Sequence, residues 1–170
     1  MLTARAEVSF LADHLHWFDD SRQLYWSNWL RSGNHIGHPG TLLGYKAALP
    51  KYDEGLQIQE DSAMLRDIVG RRTQIALLCN VGHLYMYTYD GSNAFARKHH
   101  ETLAKALGLE AATMRERLNL IKSVVEIYGI APPFSVLDNL GTTIVASGES
   151  ETSDEMLTDS NYSMRIIVYK

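Results

Sequence analysis

The sequence predicts a mainly α protein: a helical domain that contains a helix-turn-helix, followed by a small C-terminal β element. Apolar residues recur at three- and four-residue intervals over much of residues 4–128, which is typical of amphipathic helices. Residues 100–119 carry the small, apolar and glycine positions of a helix-turn-helix. After Phe134 the chain changes to short β-branched or aromatic runs, which predict strands.

The composition is typical of a globular protein, and the sequence predicts three regions. The 170-residue chain is 45% apolar and 21% charged, so it can bury a core. We predict an N-terminal helical segment with a tryptophan-rich helix over residues 1–58, a helix-turn-helix region over 59–129, and a β appendage with an acidic loop over 130–170. Cys79 is the single cysteine, so a reducing, cytoplasmic setting is expected. Since no apolar run reaches the roughly 18 residues that a membrane span needs, no membrane partner is expected.

Charge is unevenly distributed along the chain. Residues 148–163 carry a net charge of −5, whereas the whole chain carries −4. Residues 97–122 carry a net charge of +3, with His99 and His100 adjacent. A basic stretch inside an acidic protein permits binding to nucleic acid but does not require it.

Two helices are predicted in the N-terminal segment. The first covers residues 4–17, because apolar side chains recur there at helical spacing: Val8, Leu11, Leu15 and Phe18. Asp20 can cap a second helix that runs to about Arg31 and carries Trp26 and Trp29 on one face. Ser32-Gly33-Asn34 ends this helix.

The middle of the chain predicts further helices after a turn-rich loop. Residues 41–49 form a short helix or an extended piece, and residues 59–69 form a helix. A strongly apolar helix is predicted over residues 73–87, although Gly82 lies inside it.

The helix-turn-helix is predicted from the side chains at its crossing and its turn. Ala104 is small where the two helices would cross, and Gly108 follows the first helix, where positive φ favours glycine. Leu109 fills the angle between the helices, and Met114 and Leu118 form the inner face of the second helix. The second helix would then expose residues that can contact DNA.

Base readout is predicted for the second helix of the motif. Arg115 can bind guanine, Glu116 can accept from cytosine, and Asn119 can bind adenine. Phosphate contacts suit Thr113 and several basic side chains: Arg97, Lys98, Lys105, Arg117 and Lys122. The alternative is that these charges form a solvated helix face with intrahelical partners.

The order of elements resembles a known family. A Trp-x-x-Trp helix (residues 25–33), a Gly-His-Pro loop (37–39), the run LLGYKAALP, an acidic-to-apolar helix pair and the helix-turn-helix follow one another. This order resembles the late-gene transcription antitermination proteins of lambdoid phages, the short Q-type class, whose C-terminal half is similar to region four of bacterial sigma factors. The resemblance covers residues from about 20 to 128.

The resemblance implies a non-enzymatic transcription factor in a bacterial host cell. Such a protein binds double-stranded DNA near a late promoter, engages RNA polymerase paused with its sigma factor, and causes read-through of terminators. It implies a polymerase-contacting or a core role for the helix with Trp26, Trp29 and Arg31. The number of copies on the DNA stays open, with two copies as one option.

Two other functions are compatible with the same residues. One is a helix-turn-helix repressor or activator that only occupies its operator. The other is an interaction or inhibitory protein whose helix-turn-helix is a packing motif and which binds no DNA. The terminal strand, residues 164–169, could add to a partner's sheet or close a hairpin with residues 143–147.

Metal, cofactor and catalytic sites have little support in the sequence. His14-x-His16 and His35-x-x-His38 could suggest metal ligation, but no Cys-x-x-Cys or His-Glu-x-x-His accompanies them. Cys79 and His83 share a predicted helix face among large apolar residues, which favours a buried and inert thiol. We therefore expect no metal, no cofactor and no enzymatic activity.

Overall fold

The computed structural model describes residues 6–33, 36–51, 55, 60–148 and 165–169, and it shows a mixed α/β fold. The described residues form nine strands: β1 (Val8–Leu11), β2 (Asp13–Phe18), β3 (Gln23–Asn28), β4 (Leu43–Gly44), β5 (Ile75–Cys79), β6 (Met86–Tyr89), β7 (Phe134–Leu137), β8 (Thr143–Ser147) and β9 (Arg165–Tyr169). They also form four α-helices: α1 (Glu60–Gly70), α2 (Arg97–Leu107), α3 (Ala111–Glu116) and α4 (Leu118–Ile127). The predicted mainly α fold is therefore wrong.

The strands form two sheets that share one continuous stretch of chain. The four-stranded sheet has the order β4-β1-β5-β9, and the five-stranded sheet has the order β6-β2-β3-β7-β8. Ala12 separates β1 from β2, so residues 8–18 run from the first sheet into the second. β1 pairs parallel to β5, and β2 pairs parallel to β6. The segment that connects β5 to β6 therefore also passes from the first sheet to the second, beside Ala12.

Helices cover both faces of the five-stranded sheet. One face carries Leu15, Trp17, Leu24 and Trp26, which pack against Met114 of α3 and against α4. Side chains alternate along a strand, so Phe18 and Tyr25 lie on the other face, where they cluster with Ala104 of α2. α2 therefore lies on one side of the sheet, and α3 and α4 lie on the other.

Three predicted helices are wrong because strands occupy their residues. Residues 4–17 and 20–31 mostly form β1, β2 and β3, and residues 73–87 contain β5 and the start of β6. All six residues of β2 are buried, since helices cover both faces of its sheet. In β5 an uninterrupted apolar run does not distinguish a buried strand from a buried helix. In β2 the histidines alternate with Leu15 and Trp17, but the spacing of Leu11, Leu15 and Phe18 also fits a helix.

The helix-turn-helix is not formed, although its apolar positions are buried. Ala104, Leu109 and Met114 are each at most 6% exposed. However, Gly108 and Leu109 run as extended chain past the end of β3, where the amide of Leu109 donates to the carbonyl of Trp26 at 2.9 Å. The two helices of the motif lie on opposite faces of a sheet, so they cannot pack together as a recognition unit.

Gly108 is required for close backbone approach, and its predicted positive φ is wrong because φ is −59°. A Cβ atom at Gly108 would lie 2.4 Å from the carbonyl oxygen of Ala104 and 3.1 Å from Cα of Asn139. We expect Gly108→Ala to lower the free energy of unfolding by about 1–3 kcal/mol, because two backbone segments must move apart. Chemical denaturation measures this.

Gly70 provides the matched control for that measurement. A Cβ atom there would meet nothing within 4 Å, and Gly70 is the last residue of α1. Gly70→Ala should leave stability unchanged or raise it slightly. Equal stability of the two variants would contradict the close approach at Gly108.

The C-terminal strands belong to the two sheets. β7 and β8 extend the sheet of β2 and β3, while β9 pairs antiparallel to β5 at the edge of the other sheet. The alternative hairpin between residues 164–169 and β8 is therefore wrong. Most of the acidic loop at 148–163 lies outside the described residues. None of the described helices is sufficiently long and apolar to span a bilayer.

Candidate functional site

Five histidines from three parts of the chain meet around one cavity. β2 contributes His14 and His16 on one face, His38 precedes a 3-10 turn at Pro39–Thr41, and α2 contributes His99 and His100. The cavity has a volume of about 150 Å³. Its other lining residues are mostly aromatic or apolar: Trp29, Pro39, Asp61, Tyr87, Phe95, Leu103 and Leu107.

The imidazole rings lie within contact distance of one another. The ring centroids of His14 and His38 are 4.6 Å apart, and those of His14 and His16 are 6.0 Å apart. His16 lies 5.5 Å from His100, edge to face. Tyr87 stacks on His100 at 5.4 Å, so aromatic faces and edges form much of the wall.

Some ring nitrogens of this cluster are buried without a hydrogen-bond partner. His14 and His16 are 2% exposed, and His100 is 1% exposed. Nδ1 of His14 and Nε2 of His16 have no hydrogen-bond partner among the described residues, whereas His100 interacts with the backbone of Phe95. Burying a polar group without a hydrogen-bond partner costs about 1–3 kcal/mol, so these nitrogens lower the stability of the folded chain.

His38 is the member of the cluster whose proton position follows from its contacts. Its Nδ1 accepts a hydrogen bond from the amide of Gly40 at 3.1 Å. A neutral imidazole that accepts at Nδ1 carries its proton at Nε2. His38 therefore has a donor available at Nε2, whereas the unpartnered nitrogens of His14 and His16 can serve as donor or acceptor according to tautomer.

Burial keeps His14, His16 and His38 uncharged at neutral pH. It lowers the pKa of His16 to about 3, and the neighbouring histidines, His100 first, add to this shift. It also lowers the pKa of His38 to about 4. The pKa of His14 is lowered well below its ordinary value, mainly by burial and then by His38. The cavity therefore offers neutral imidazoles and no fixed positive charge from them.

The described residues do not provide a ready metal centre. No three His, Cys, Asp or Glu side chains among them are placed to hold a metal ion. His38 Nδ1 is also engaged by a backbone amide, so it is not available as a ligand. The arrangement is thus a hydrogen-bonding cavity with aromatic walls.

A second polar cluster lies on the opposite face of β2 and holds the sheet junction together. The carboxylate of Asp13 accepts from Trp26 Nε1 at 2.7 Å and from the amides of Val81 and Gly82 at 3.2 Å each. Arg117 contacts the same carboxylate at 3.2 Å, donates to Asn80 Oδ1 at 2.8 Å and lies 4.5 Å over the Trp26 ring. This cluster fixes Asp13, and with it the neighbouring His14.

The predicted DNA-contacting residues do not form one surface. Lys98 and Lys105 are exposed on α2, whereas four exposed candidates lie on α3 and α4 on the other side of the sheet: Arg115, Glu116, Asn119 and Lys122. Thr113 is half-buried.

Both remaining arginine candidates are held by acidic side chains. Arg97 is half-buried and ion-paired with Asp20 and Glu101. Arg117 points inward to Asp13. Its position is the end of α3, where φ is −103° and ψ is 5°, so the predicted second helix of the motif is interrupted there.

The predicted polymerase-contacting residues also separate. Trp26 is fully buried in the core, as the core alternative proposed. Trp29 lines the histidine cavity, and Arg31 forms an ion pair with Glu110 at 3.1 Å. The spacings His14-x-His16 and His35-x-x-His38 suggested metal ligation only, so the cavity was not predicted.

One signal for the cavity was present in the sequence. The chain has seven histidines, and most of them occur in short-range pairs that include His14 with His16 and His99 with His100. Comparison of the chain with protein-family models, with curated proteins and with solved structures finds no match.

Proposed function

We propose that the histidine cavity binds a small, planar, uncharged ring that carries hydrogen-bonding groups, and that this binding is the function of the chain. The observation that carries the proposal is that the unpartnered, buried ring nitrogens of His14 and His16 line one cavity. A ligand with donors and acceptors on its edge would satisfy them and remove their desolvation cost.

Size and charge define the class of ligand. A cavity of about 150 Å³ matches the space that a single six-membered ring occupies in a protein interior. The imidazoles are neutral at pH 7, because burial lowers the pKa values of His14, His16 and His38, so they do not attract an anion by charge. Aromatic walls favour a flat ligand that can stack or meet ring edges. Nitrogen heterocycles such as pyrimidines have these properties.

Binding of simple rings tests the proposal directly. We expect cytosine or uracil to bind and to change the fluorescence of Trp29, which lines the cavity. Benzene, which has a similar shape and no hydrogen-bonding groups, should bind more weakly. His16→Phe keeps an aromatic ring but removes the hydrogen bond, so it should cost about 0.5–1.5 kcal/mol of binding free energy, or roughly 2- to 10-fold in Kd.

His83 supplies the matched control, because it is a histidine that does not line this cavity. His83→Phe should leave the affinity for the heterocycle unchanged. Equal binding of benzene and the heterocycles would contradict a role for the ring nitrogens. Binding of Zn²⁺ that excludes the heterocycle would also overturn the proposal, because the nitrogens would then be metal ligands.

Binding to double-stranded DNA and RNA polymerase, antitermination and the cytoplasmic bacterial setting stay predictions from the resemblance. What supports DNA binding is the exposure of Arg115, Asn119 and Lys122 on α3 and α4. The absence of a packed helix-turn-helix removes the groove-binding geometry on which the predicted base contacts depended. The cavity is therefore the site that the geometry supports best.

A further inference from the structure

We infer that one face of the four-stranded sheet, here called the open face, binds the same face of a second copy of this chain in a weak two-fold dimer. The open face carries Leu11, Leu78 and Ile166. None of these residues lines the histidine cavity, so the inference does not depend on ligand binding there.

Strand register determines which side chains form the open face. Paired residues in neighbouring strands point to the same side of a sheet. The pairing places two adjacent rows on this face: Leu43, Ser9, Ala76 and Val168 across all four strands, then Leu11, Leu78 and Ile166 across three. Neither row contains a charged residue, and most of their side chains are large and apolar.

The opposite face of this sheet is covered within the chain. It carries Phe10 and Leu77, which pack in one cluster with Ile68 of α1. Ile167 of β9 packs on the same side, so its neighbours in β9 point to the open face. β1 and β5 run parallel, and parallel strands occur almost only in sheets that are covered on both faces. A layer on the open face would therefore complete this sheet.

The open face is in contact with solvent over much of its area. Leu43 is 66% exposed, Ile166 is 54% exposed and Val168 is 46% exposed. Single exposed apolar side chains are ordinary on a protein surface, but these lie together on one sheet face. A contiguous apolar patch of this kind marks an interaction surface.

The lack of charge in both rows selects the kind of partner. Burying a charge of a partner against such a surface costs free energy, because nothing there compensates it. Two copies of the open face meet without burying any charge from these rows. Glu7 lies at the end of the face, where it is exposed and its carboxylate accepts from the amide of Gln74 at 3.1 Å. It therefore belongs to the polar rim of the contact.

The open face also carries both halves of a fit between two copies. A depression of about 270 Å³ is lined by leucines that include Leu11, Leu43 and Leu78. Leu84 lies at the same depression and is 61% exposed. A two-fold axis presents the projecting side chains of each copy to the depression of the other, so one contact is made twice.

The size of the open face determines the strength of the dimer. Four strands about 4.8 Å apart and three residues of about 3.3 Å each give a footprint of roughly 200 Å². Even with Leu84 and the depression added, two copies bury well below the roughly 1,200 Å² at the low end of stable interfaces. We therefore expect a dimer whose Kd is micromolar or weaker, in equilibrium with monomer.

Sedimentation velocity of the full chain between about 10 μM and 1 mM tests this inference. We expect the sedimentation coefficient to rise with concentration from that of a monomer towards that of a dimer. Added sodium chloride should not dissociate the dimer, because salt screens contacts between charges and this contact is apolar.

Two isoleucines give a matched pair of variants. Ile166→Glu places a charge on the open face of both copies and should weaken the dimer at least tenfold. Ile127→Glu makes the same change at the end of α4, which packs on the other sheet, and should leave the Kd unchanged because Ile127 is 79% exposed there. Leu43→Glu, on the other edge strand, should weaken the dimer as Ile166→Glu does. Circular dichroism checks that each variant is folded.

Several outcomes would overturn the inference. One is a chain that stays monomeric up to about 1 mM. Another is a dimer that Ile127→Glu weakens as much as Ile166→Glu does, or one that salt dissociates, because a different surface would then hold it. Binding of the monomer to neutral phosphatidylcholine vesicles, lost in Ile166→Glu, would assign the open face to a membrane instead.

Discussion

Arg117→Met should lower the free energy of unfolding by about 3–5 kcal/mol, the largest loss that we expect from a single substitution in this chain. Asp13 is fully buried, and Arg117, whose side chain is 10% exposed, supplies the cation 3.2 Å from its carboxylate. Removing the guanidinium leaves a buried carboxylate with three neutral donors and no opposite charge. Methionine keeps most of the apolar stem, so the loss reports the charge rather than a cavity.

The same helical region offers a matched control for Arg117. Arg115 is two residues away and exposed, and Arg115→Met should change stability by no more than about 0.5 kcal/mol. The double variant Asp13→Asn with Arg117→Met should lose less stability than the sum of the single variants, because the two side chains interact directly. Urea denaturation measures each value. Additive losses would contradict the pairing of Asp13 with Arg117.

Acidification should unfold the protein through the histidine cluster. Burial lowers the pKa of His16 to about 3 and that of His38 to about 4, whereas an unfolded chain has histidines near 6.5. Between these values the unfolded state binds more protons, so stability falls as the pH falls below about 6.5. Each such imidazole contributes a slope of about 1.4 kcal/mol per pH unit.

The summed effect is large compared with the stability of an ordinary domain. His16 and His38 together would remove about 5 kcal/mol between pH 6.5 and 4.5, and His14 adds to the same slope because its pKa is also lowered. A typical domain has about 5–15 kcal/mol in total. Exposed Asp20 and Asp90 have pKa values below their ordinary range, so they affect stability only at still lower pH.

A single substitution assigns this acid sensitivity. His16→Phe removes one titrating group and should reduce the slope between pH 6 and 4.5 by about 1.4 kcal/mol per pH unit. Urea denaturation repeated at half-unit steps of pH measures the slope for both proteins. A stability that is flat from pH 7 to 5 in the parent protein would mean that the cluster accepts protons in the fold.

The buried positions of the predicted helix-turn-helix are divided between two cores. The motif positions Ala104, Leu109 and Met114 are buried as predicted, yet they belong to two cores on opposite faces of one sheet. The pattern identified which residues are buried. It did not identify which other residues they contact, because a small or apolar side chain suits many neighbours.

Several elements were determined by local sequence alone. Helix α1 and helix α2 occur close to the predicted residues, and β7, β8 and β9 coincide with the three predicted β-branched runs. These helices are amphipathic and exposed on one side, and these strands lie near turns, so their residues have a clear period and clear ends. Local patterns were sufficient where one face meets water.

Tertiary structure decided the elements and the site that local patterns could not. β1, β2, β3 and β5 are largely buried, and the spacing of their apolar residues fits a buried helix as well as a buried strand. Residues 13–18 form a strand because they pair with two others. β2 runs antiparallel to β3, the next strand in the chain, and parallel to the distant β6. The cavity follows from the same pairing, since His14 and His100 are 86 residues apart in sequence and meet only when α2 covers β2. The lack of a hydrogen-bond partner for His14 Nδ1 among the described residues and the lowered pKa values of both histidines result from that burial. The spacing of the histidines in the sequence does not predict it.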